Sequence, residues 1–150
     1  MPDEHPGLVD TPEALPAVGG AYLLLLDLAA PLALPPRFAG RVLEAGRYGY
    51  AGSAYGPGGI RGRCRRHLGR PAARRWHVDW LTGSADDLRV VGFPGGSECA
   101  LIDRLARHGG VTFPVPGFGS TDCRRCPAHL VRFDLTGPWE ALLTALDASP

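Results

Sequence analysis

Two residues in a basic stretch of the chain have side chains suited to phosphate chemistry. Arg63 and His67 lie in the segment from Ile60 to Leu68, which has the pattern of a short helix that stops near Gly69. Residues four apart on a helix share one face. The arginine fork matches phosphate oxygens and keeps its charge, and phosphodiester hydrolysis builds negative charge that it could stabilise. His67 could bind phosphate, transfer a proton or hold a water; a helix-end histidine favoured by the macrodipole is the alternative.

The charge around this pair is concentrated in a way that the net charge of +1 hides. Seven arginines and no acidic residue fall between Arg61 and Arg75, and the chain has no lysine. A polyanion such as DNA, or RNA, would meet this local charge, although a solvated helix face is the alternative. The candidate nucleic-acid contacts besides Arg63 are Arg61, Arg65, Arg66, Arg70, Arg74 and Arg75.

A carboxylate stands where a helix should begin. Glu98 follows the potential N-cap Ser97 and precedes Leu101 and Ile102 by three and four residues, so it leans towards the apolar face of that helix. Such a carboxylate needs a counter-charge. It could bind a hard divalent cation, or it could complement the helix dipole from the first turn.

Two further groups have donor chemistry with weaker patterns. His77 could transfer a proton, or it could be a buried histidine held by Asp79. Cys123, Cys126 and His129 have ligand-like spacing for zinc, but three donors without a clear fourth do not predict a zinc site. A redox pair, or buried thiols in a tight loop, are the alternatives.

The elements that must position these side chains alternate along the chain. Residues 1–18, with four prolines, predict an irregular lead-in to a single domain over residues 19–150. The patterns predict strands at Gly20–Leu28, Gly46–Ser53, Leu88–Phe93 and His129–Leu135, and a loop or short hairpin over residues 29–45. They predict helices at Ile60–Leu68, Trp76–Leu81, from the Ser97 cap to Arg107, and from Pro138 to Ala148. The fold class that we expect is α+β, a small, mostly antiparallel sheet flanked by helices.

The order of these blocks resembles the GIY-YIG nuclease superfamily, most closely its stand-alone Uri-type branch. The matching blocks are Gly20-Ala21-Tyr22, Tyr50-Ala51-Gly52-Ser53, Arg63-x-x-x-His67, Trp76-His77-Val78-Asp79-Trp80-Leu81, Ser97-Glu98-Cys99-Ala100, and Gly117 to Cys123 with His129-Leu130. The resemblance covers roughly residues 19–134. Two departures are the 28-residue separation of Tyr22 and Tyr50 and the lack of a recognisable late polar residue that supports the metal.

The resemblance implies roles for several residues. Tyr22 would deprotonate or orient the attacking water with support from Tyr50, and nothing in the residues excludes the reverse allocation. Arg63 would stabilise the phosphoryl charge and lower the pKa of the Tyr22 phenol, which is ordinarily near 10. Glu98 would hold one Mg²⁺ or Mn²⁺ ion, with water and substrate phosphate completing its coordination.

These patterns favour a divalent-metal-dependent DNA endonuclease, for which DNA repair or processing is the expected role; a catalytically degenerate nucleic-acid-binding domain is the alternative. The longest apolar run, Tyr22 to Leu26, is too short to span a bilayer, and no signal-peptide pattern follows Met1. We therefore expect a cytoplasmic protein with reduced thiols and no membrane partner.

Overall fold

A computed structural model describes residues 7–38, 40–70, 74, 76–119, 126–134 and 137–148. The strands are β1 (Leu8–Val9), β2 (Gly20–Leu28), β3 (Leu32–Ala33), β4 (Val42–Leu43), β5 (Gly46–Ala54), β6 (Asp87–Pro94), β7 (Val111–Thr112) and β8 (Leu130–Phe133). The helices are α1 (Gly59–Leu68), α2 (His77–Thr82), α3 (Glu98–His108) and α4 (Trp139–Ala148). No helix in the described part of the chain is long and apolar enough to cross a membrane.

The main sheet has six strands in the order β1-β6-β2-β5-β8-β7, and all of its pairs are antiparallel. β2 lies near the centre and pairs along its whole length with β5, from Gly20 opposite Ala54 to Leu28 opposite Gly46. Its other neighbour is β6, which begins opposite Asp27 and ends opposite Gly20. The predicted α+β class with an antiparallel sheet is confirmed.

The dense apolar sequence of β2 matches its position in the sheet, where both of its faces are buried. On one face Tyr22, Leu24 and Leu26 belong to a core with residues of α1 and α2. On the other face Ala21 and Leu23 belong to a second core with residues of α3 and α4. Alternation of side chains along the strand sends successive residues to different cores, so the sheet is a layer between two pairs of helices.

The structure adds three pairings to the predicted elements. The lead-in is not wholly irregular, because Leu8 and Val9 pair with Val91 and Val90 at the edge of the sheet. The segment between β2 and β5 contains the short β3–β4 pair, which agrees with a short hairpin. β7 was not predicted, since two residues carry too little periodicity to be recognised.

One end of the sheet brings together the segments that carry the candidate chemistry. The register places Gly20, Ala54 and Pro94 side by side there, and Leu130 lies opposite Tyr50 nearby. The start of α3 follows β6 at this end, after the turn that contains Gly95. A segment at residues 94–98 therefore carries the chain from the sheet to Glu98.

Close packing of β2 against β6 predicts that a methyl group at Gly20 is not tolerated. A Cβ there would collide with the carbonyl oxygen of Phe93 and lie 2.9 Å from the amide nitrogen of Gly95. Gly20→Ala should lower the free energy of unfolding by about 1–3 kcal/mol, as overpacking does, in urea denaturation. Gly56→Ala is the matched control, since nothing lies within 4 Å of a Cβ at that position. Equal stability of both variants would contradict this packing.

Candidate active site

Tyr22 and Tyr50 lie on adjacent strands and on the same face of the sheet. Tyr22 of β2 is opposite Gly52 of β5, and Leu24 is opposite Tyr50, so the two tyrosines are diagonal neighbours. A Cβ at Gly52 would overlap the phenol ring of Tyr22 and its hydroxyl oxygen. The missing side chain of Gly52 therefore makes the space in which the Tyr22 ring lies.

The hydroxyl of Tyr22 is hydrogen-bonded to Nε2 of His67 at 2.7 Å, inside the protein. Tyr22 is 2% exposed and His67 is 0% exposed. α1 presents Ile60, Cys64 and His67 on its buried side, a spacing that follows the turn of the helix. This arrangement brings the last turn of α1 over the tyrosine of β2.

Burial sets the protonation states of this pair. It lowers the pKa of His67 to about 4; Asp79 opposes this shift, while Arg63 and Arg66 add to it. It also raises the pKa of Tyr22 well above 10. Desolvation disfavours the imidazolium and the phenolate alike, so both side chains are neutral at pH 7.

Arg63 was expected to lower the pKa of Tyr22, but the net shift of that pKa is upward. The charge of Arg63 does lower it, yet burial outweighs that effect, and Tyr50, Cys64 and Glu98 add to the increase. Burial likewise raises the pKa of Tyr50 to about 12, followed by the charge of Glu98, against the opposing charge of Arg63. The charge of Arg63 is therefore not enough to make either tyrosine a phenolate.

Arg63 and Glu98 approach the two tyrosines from different layers. The positive charge of Arg63 lowers the pKa of both tyrosines, and the negative charge of Glu98 raises it. Arg63 belongs to α1 and Glu98 is the first residue of α3, which packs on the opposite face of the sheet. The structure thus gathers Tyr22, Tyr50, Arg63, His67 and Glu98 at one end of the sheet.

The side chain of Arg63 is held by an aromatic ring. Its guanidinium carbon lies 4.7 Å from the centre of the Trp76 ring, a distance suited to a cation–π contact. Trp76 also lies edge-on to His67, with ring centres 6.2 Å apart. Trp76 therefore packs against both members of the Arg63–His67 pair.

Glu98 offers a partly exposed carboxylate beside His129. Its side chain is 30% exposed, and Oε2 lies 3.8 Å from Nδ1 of His129. Among the described residues no arginine comes within ion-pairing distance of Glu98. Ser97 caps α3 by accepting a bond from the Ala100 amide at 3.4 Å, so the dipole interaction of Glu98 coexists with an accessible carboxylate.

The His77 ring packs against the rings of Phe38 and Phe118. Its Nδ1 accepts a hydrogen bond from the amide of Gly119 at 3.1 Å, and its Nε2 lies 3.4 Å from Nη1 of Arg37. Gly119 in turn lies against the ring of Tyr50, where a Cβ would come within 2.7 Å of the Tyr50 hydroxyl. Burial, then the charge of Arg37, lowers the pKa of His77. His77 is connected to Tyr50 through the backbone of Gly119, and this hydrogen bond comes from Gly119, not from Asp79.

The arginines of the basic stretch differ in what they contact. Arg61 donates to the carbonyl of Leu15 at 2.8 Å, and Arg70 donates to the carbonyl of Ala85 at 2.5 Å. Arg61 of α1 and Arg70, which follows α1, thus tie this region to neighbouring segments of backbone. Their charges remain, but their positions are set by the fold.

Arg66 forms an ion pair with a buried acid. Its Nη2 lies 2.7 Å from Oδ2 of Asp79, whose side chain is 0% exposed. The same Asp79 oxygen accepts a hydrogen bond from the backbone amide of Trp76 at 2.9 Å. Arg66 also lies over the Trp76 ring, at 4.5 Å from its centre. This contact fastens α2 to α1.

The remaining arginines are better placed for a ligand. Arg65 has a side chain that is 60% exposed and lies 3.6 Å from Glu13, which is itself 75% exposed. Arg74 is exposed and lies over the Trp80 ring at 5.2 Å from its centre. Arg75 lies outside the described residues.

The cysteine segment differs from the pattern considered in the sequence. Cys123 lies outside the described residues. Cys126 and His129 do converge, and the third donor beside them is Cys99, the neighbour of Glu98 on α3. Sequence spacing could not reveal Cys99, because it comes from a separate helix 27 residues earlier.

The chain belongs to the family described as DUF123, a domain of unknown function, whose model matches residues 21–148. That match spans β2 through α4 and includes every residue of the tyrosine–histidine site. No curated protein and no solved structure shows a significant match to the chain.

The lowered pKa of His67 predicts a specific loss of stability in acid. An unfolded histidine titrates near 6.5, whereas folded His67 titrates at about 4. Below pH 6.5 the unfolded state binds the extra proton, so the free energy of unfolding falls as the pH falls from 6.5 to 4. The full contribution of His67 is about 3 kcal/mol.

Urea denaturation of the wild type and His67→Gln across this pH range isolates that contribution, because the other titrating groups are common to both proteins. The wild type should lose more stability than the variant between pH 6.5 and pH 4. Parallel pH profiles would show that His67 is not buried as a neutral base.

The different contacts of Arg65 and Arg66 predict that their substitutions change stability by very different amounts. Arg66→Ala removes an ion pair to the buried Asp79 carboxylate and should lower the free energy of unfolding by about 3 kcal/mol. Arg65→Ala removes a solvent-exposed contact and should change it by less than about 0.5 kcal/mol. Thermal and urea denaturation measure both, and similar losses in the two variants would contradict this division.

Proposed function

We propose that this protein is a GIY-YIG nuclease of the Uri type, a divalent-metal-dependent endonuclease that hydrolyses DNA phosphodiester bonds one strand at a time. The observation that carries the proposal is the buried hydrogen bond between Tyr22 and His67, with Arg63 and Glu98 acting electrostatically on the same tyrosine. These four residues come from three separate segments. A structural core has little use for a phenol, an imidazole and two opposite charges in one place.

We assign Tyr22 the role of accepting a proton from the attacking water. Its hydroxyl is fixed by His67, and Gly52 leaves its ring room against the sheet. In the resting protein the phenol is protonated, since burial raises the pKa of Tyr22. As the water attacks phosphorus and the bond from phosphorus to the leaving oxygen breaks, a water proton passes to the phenol oxygen of Tyr22 while the phenol proton moves towards Nε2 of His67. The leaving oxygen takes up a proton from solvent.

His67 is the hydrogen-bond partner that aligns this transfer. Because its pKa is lowered to about 4, the ring is neutral and Nε2 can accept from the hydroxyl. The same low pKa makes His67 a weak base in the free protein. Negative charge brought by the substrate phosphate would raise it, so that proton transfer becomes favourable only when DNA is bound.

Arg63 is the residue that we assign to the phosphoryl oxygens. It lies on the same helical face as His67 and is partly exposed, while its contact with Trp76 limits the orientations of the guanidinium. A positioned guanidinium stabilises the charge that develops in the transition state more than that of the ground state.

Glu98 fits the binding of one Mg²⁺ or Mn²⁺ ion. It offers a partly exposed carboxylate without an arginine within ion-pairing distance among the described residues, and such oxygen ligands suit hard cations. A bound dication supplies positive charge that favours the phenolate, the phosphoryl oxygens and the leaving oxygen. With a single carboxylate ligand, we expect the ion to bind weakly without substrate.

We assign binding of the DNA backbone to the exposed arginines. Arg65 and Arg74 have the greatest freedom to contact phosphates, whereas Arg61, Arg66 and Arg70 mainly hold α1 in place. Phosphate contacts of this kind provide affinity without sequence selectivity. The substrate preference of such a surface would therefore depend on DNA structure more than on sequence.

A domain that binds nucleic acid without cutting it is the second candidate. The observation that favours it is the protonation of the site: two phenols with raised pKa values and a histidine that is a weak base. A binding domain, however, would not need the Glu98 carboxylate, which repels phosphate. Cleavage and binding assays on the same variants separate the two functions.

The cleavage test compares Arg63→Ala and Glu98→Gln with matched controls on supercoiled and single-stranded DNA in Mg²⁺ or Mn²⁺. Each site variant should lose activity by about 100-fold or more, the typical effect of removing one transition-state contact. Arg107→Ala and Asp103→Asn are the controls, since this exposed pair lies elsewhere on α3. Tyr22→Phe should also lose cleavage while retaining DNA binding.

Undiminished cleavage in Arg63→Ala or Glu98→Gln would reject the nuclease assignment. Salt-dependent DNA binding without metal-stimulated cleavage on either substrate would favour the binding domain instead. In that case the slope of log affinity against log salt, about −0.9 per duplex phosphate contacted, would become shallower in Arg65→Ala.

A further inference from the structure

Three soft ligands meet on the side of α3 that faces the segment before β8. Ligand atoms of Cys99, Cys126 and His129 all lie within 4.8 Å of one another. Cys99 is the second residue of α3, and the other two residues precede β8. The three residues are thus brought together by the fold, not by proximity in the sequence.

The separation of these atoms is close to that in a zinc site. A tetrahedral zinc ion with Zn–S bonds of about 2.3 Å and Zn–N bonds of about 2.0 Å separates its ligand atoms by about 3.5–3.8 Å. The ligand atoms lie within 4.8 Å of one another, and side-chain movements of roughly 1 Å or less would bring them to the zinc-site separation. Cysteine and histidine are also the donors that zinc prefers over the hard cations.

The histidine supplies a second and independent observation. His129 is 3% exposed, and its Nε2 is buried without a hydrogen-bond partner among the described residues. Its Nδ1 lies 3.8 Å from Oε2 of Glu98. A buried polar atom without a partner is costly, and coordination of an ion would satisfy it.

We propose that Cys99, Cys126 and His129 bind a zinc ion, with Nε2 of His129 as the nitrogen ligand. The ion fastens the first turn of α3 to the segment that leads into β8. Three protein ligands leave one tetrahedral position for water or a further side chain. This site is separate from the hard-cation site at Glu98 and does not depend on the proposed nuclease activity.

Coordination through Nε2 also has a consequence for Glu98. It leaves the proton of His129 on Nδ1, directed at the Glu98 carboxylate, as in the carboxylate–histidine–zinc arrangement of many metal sites. The distance of 3.8 Å is beyond a hydrogen bond and shortens to one with a small rotation of either side chain. The zinc ion would thereby make His129 a positioning residue for Glu98.

The test is zinc content and spectroscopy of the full chain purified under reducing conditions without chelator. We expect about one zinc ion per chain by elemental analysis, and a shift of about 5–10 °C to lower Tm after removal of the metal. Replacement by Co²⁺ should give visible d–d bands and near-ultraviolet thiolate-to-cobalt absorption.

Cys99→Ser and Cys126→Ser should each lose the zinc and most of the cobalt charge-transfer absorption. Cys64→Ala is the matched control, because this cysteine lies buried in α1 outside the cluster and its loss should leave the zinc content unchanged. Asp103→Asn, next to the cluster on α3, should do the same.

Three results would overturn the proposal. The first is the absence of stoichiometric zinc in protein that is folded by circular dichroism and was supplied with zinc chloride. The second is a disulfide between Cys99 and Cys126 in the reduced preparation, detected by mass spectrometry. The third is equal loss of zinc in Cys64→Ala and in the cluster variants. DNA cleavage is not a readout here, so failure of the zinc site leaves the nuclease test intact.

Discussion

The hydroxyl of Tyr22 and Nε2 of His67 meet at 2.7 Å, and both residues are almost fully buried. The rest of the candidate site is arranged around this contact. It requires that Gly52 have no side chain and that α1 pack its Ile60–Cys64 side against the sheet. Arg63 is then carried to the same place, because it lies one helical turn before His67.

The electrostatics of the site are balanced between burial and two opposite charges. Burial favours the neutral forms of Tyr22 and His67, while Arg63 favours the phenolate and Glu98 opposes it. Binding of a dication at Glu98 would reverse the sign of the charge that the phenols experience there. In the nuclease that we propose, such a site would be inactive by itself and would become competent when metal and phosphate are both bound.

The extent to which the sequence predicts this arrangement depends on the residue. β2 was predicted over its full span because its central run, Tyr22 to Leu26, is apolar and is buried on both faces of the sheet. Arg63 and His67 were predicted to share a face because helical spacing is local. The resemblance implied that Tyr50 supports Tyr22, and the register of β2 and β5 makes the two residues diagonal neighbours on adjacent strands.

Other features depend on contacts between distant segments. The role of Gly52 becomes visible only when β5 is placed beside Tyr22. The six arginines besides Arg63 looked equivalent in the sequence, yet Arg66 forms an ion pair with Asp79 and Arg61 donates to the carbonyl of Leu15. The raised pKa of Tyr22 was missed since burial is a property of the whole fold, and the sign of one neighbouring charge does not reveal it.

The most direct test of the account is a crystal structure of the protein soaked with manganese and inorganic phosphate. We expect anomalous density for manganese at the Glu98 carboxylate, with phosphate oxygens bound by Arg63 and one of them within reach of the Tyr22 hydroxyl. Manganese bound elsewhere, or phosphate held only by Arg65 and Arg74, would contradict the assignment of Tyr22, Arg63, His67 and Glu98 as a nuclease site.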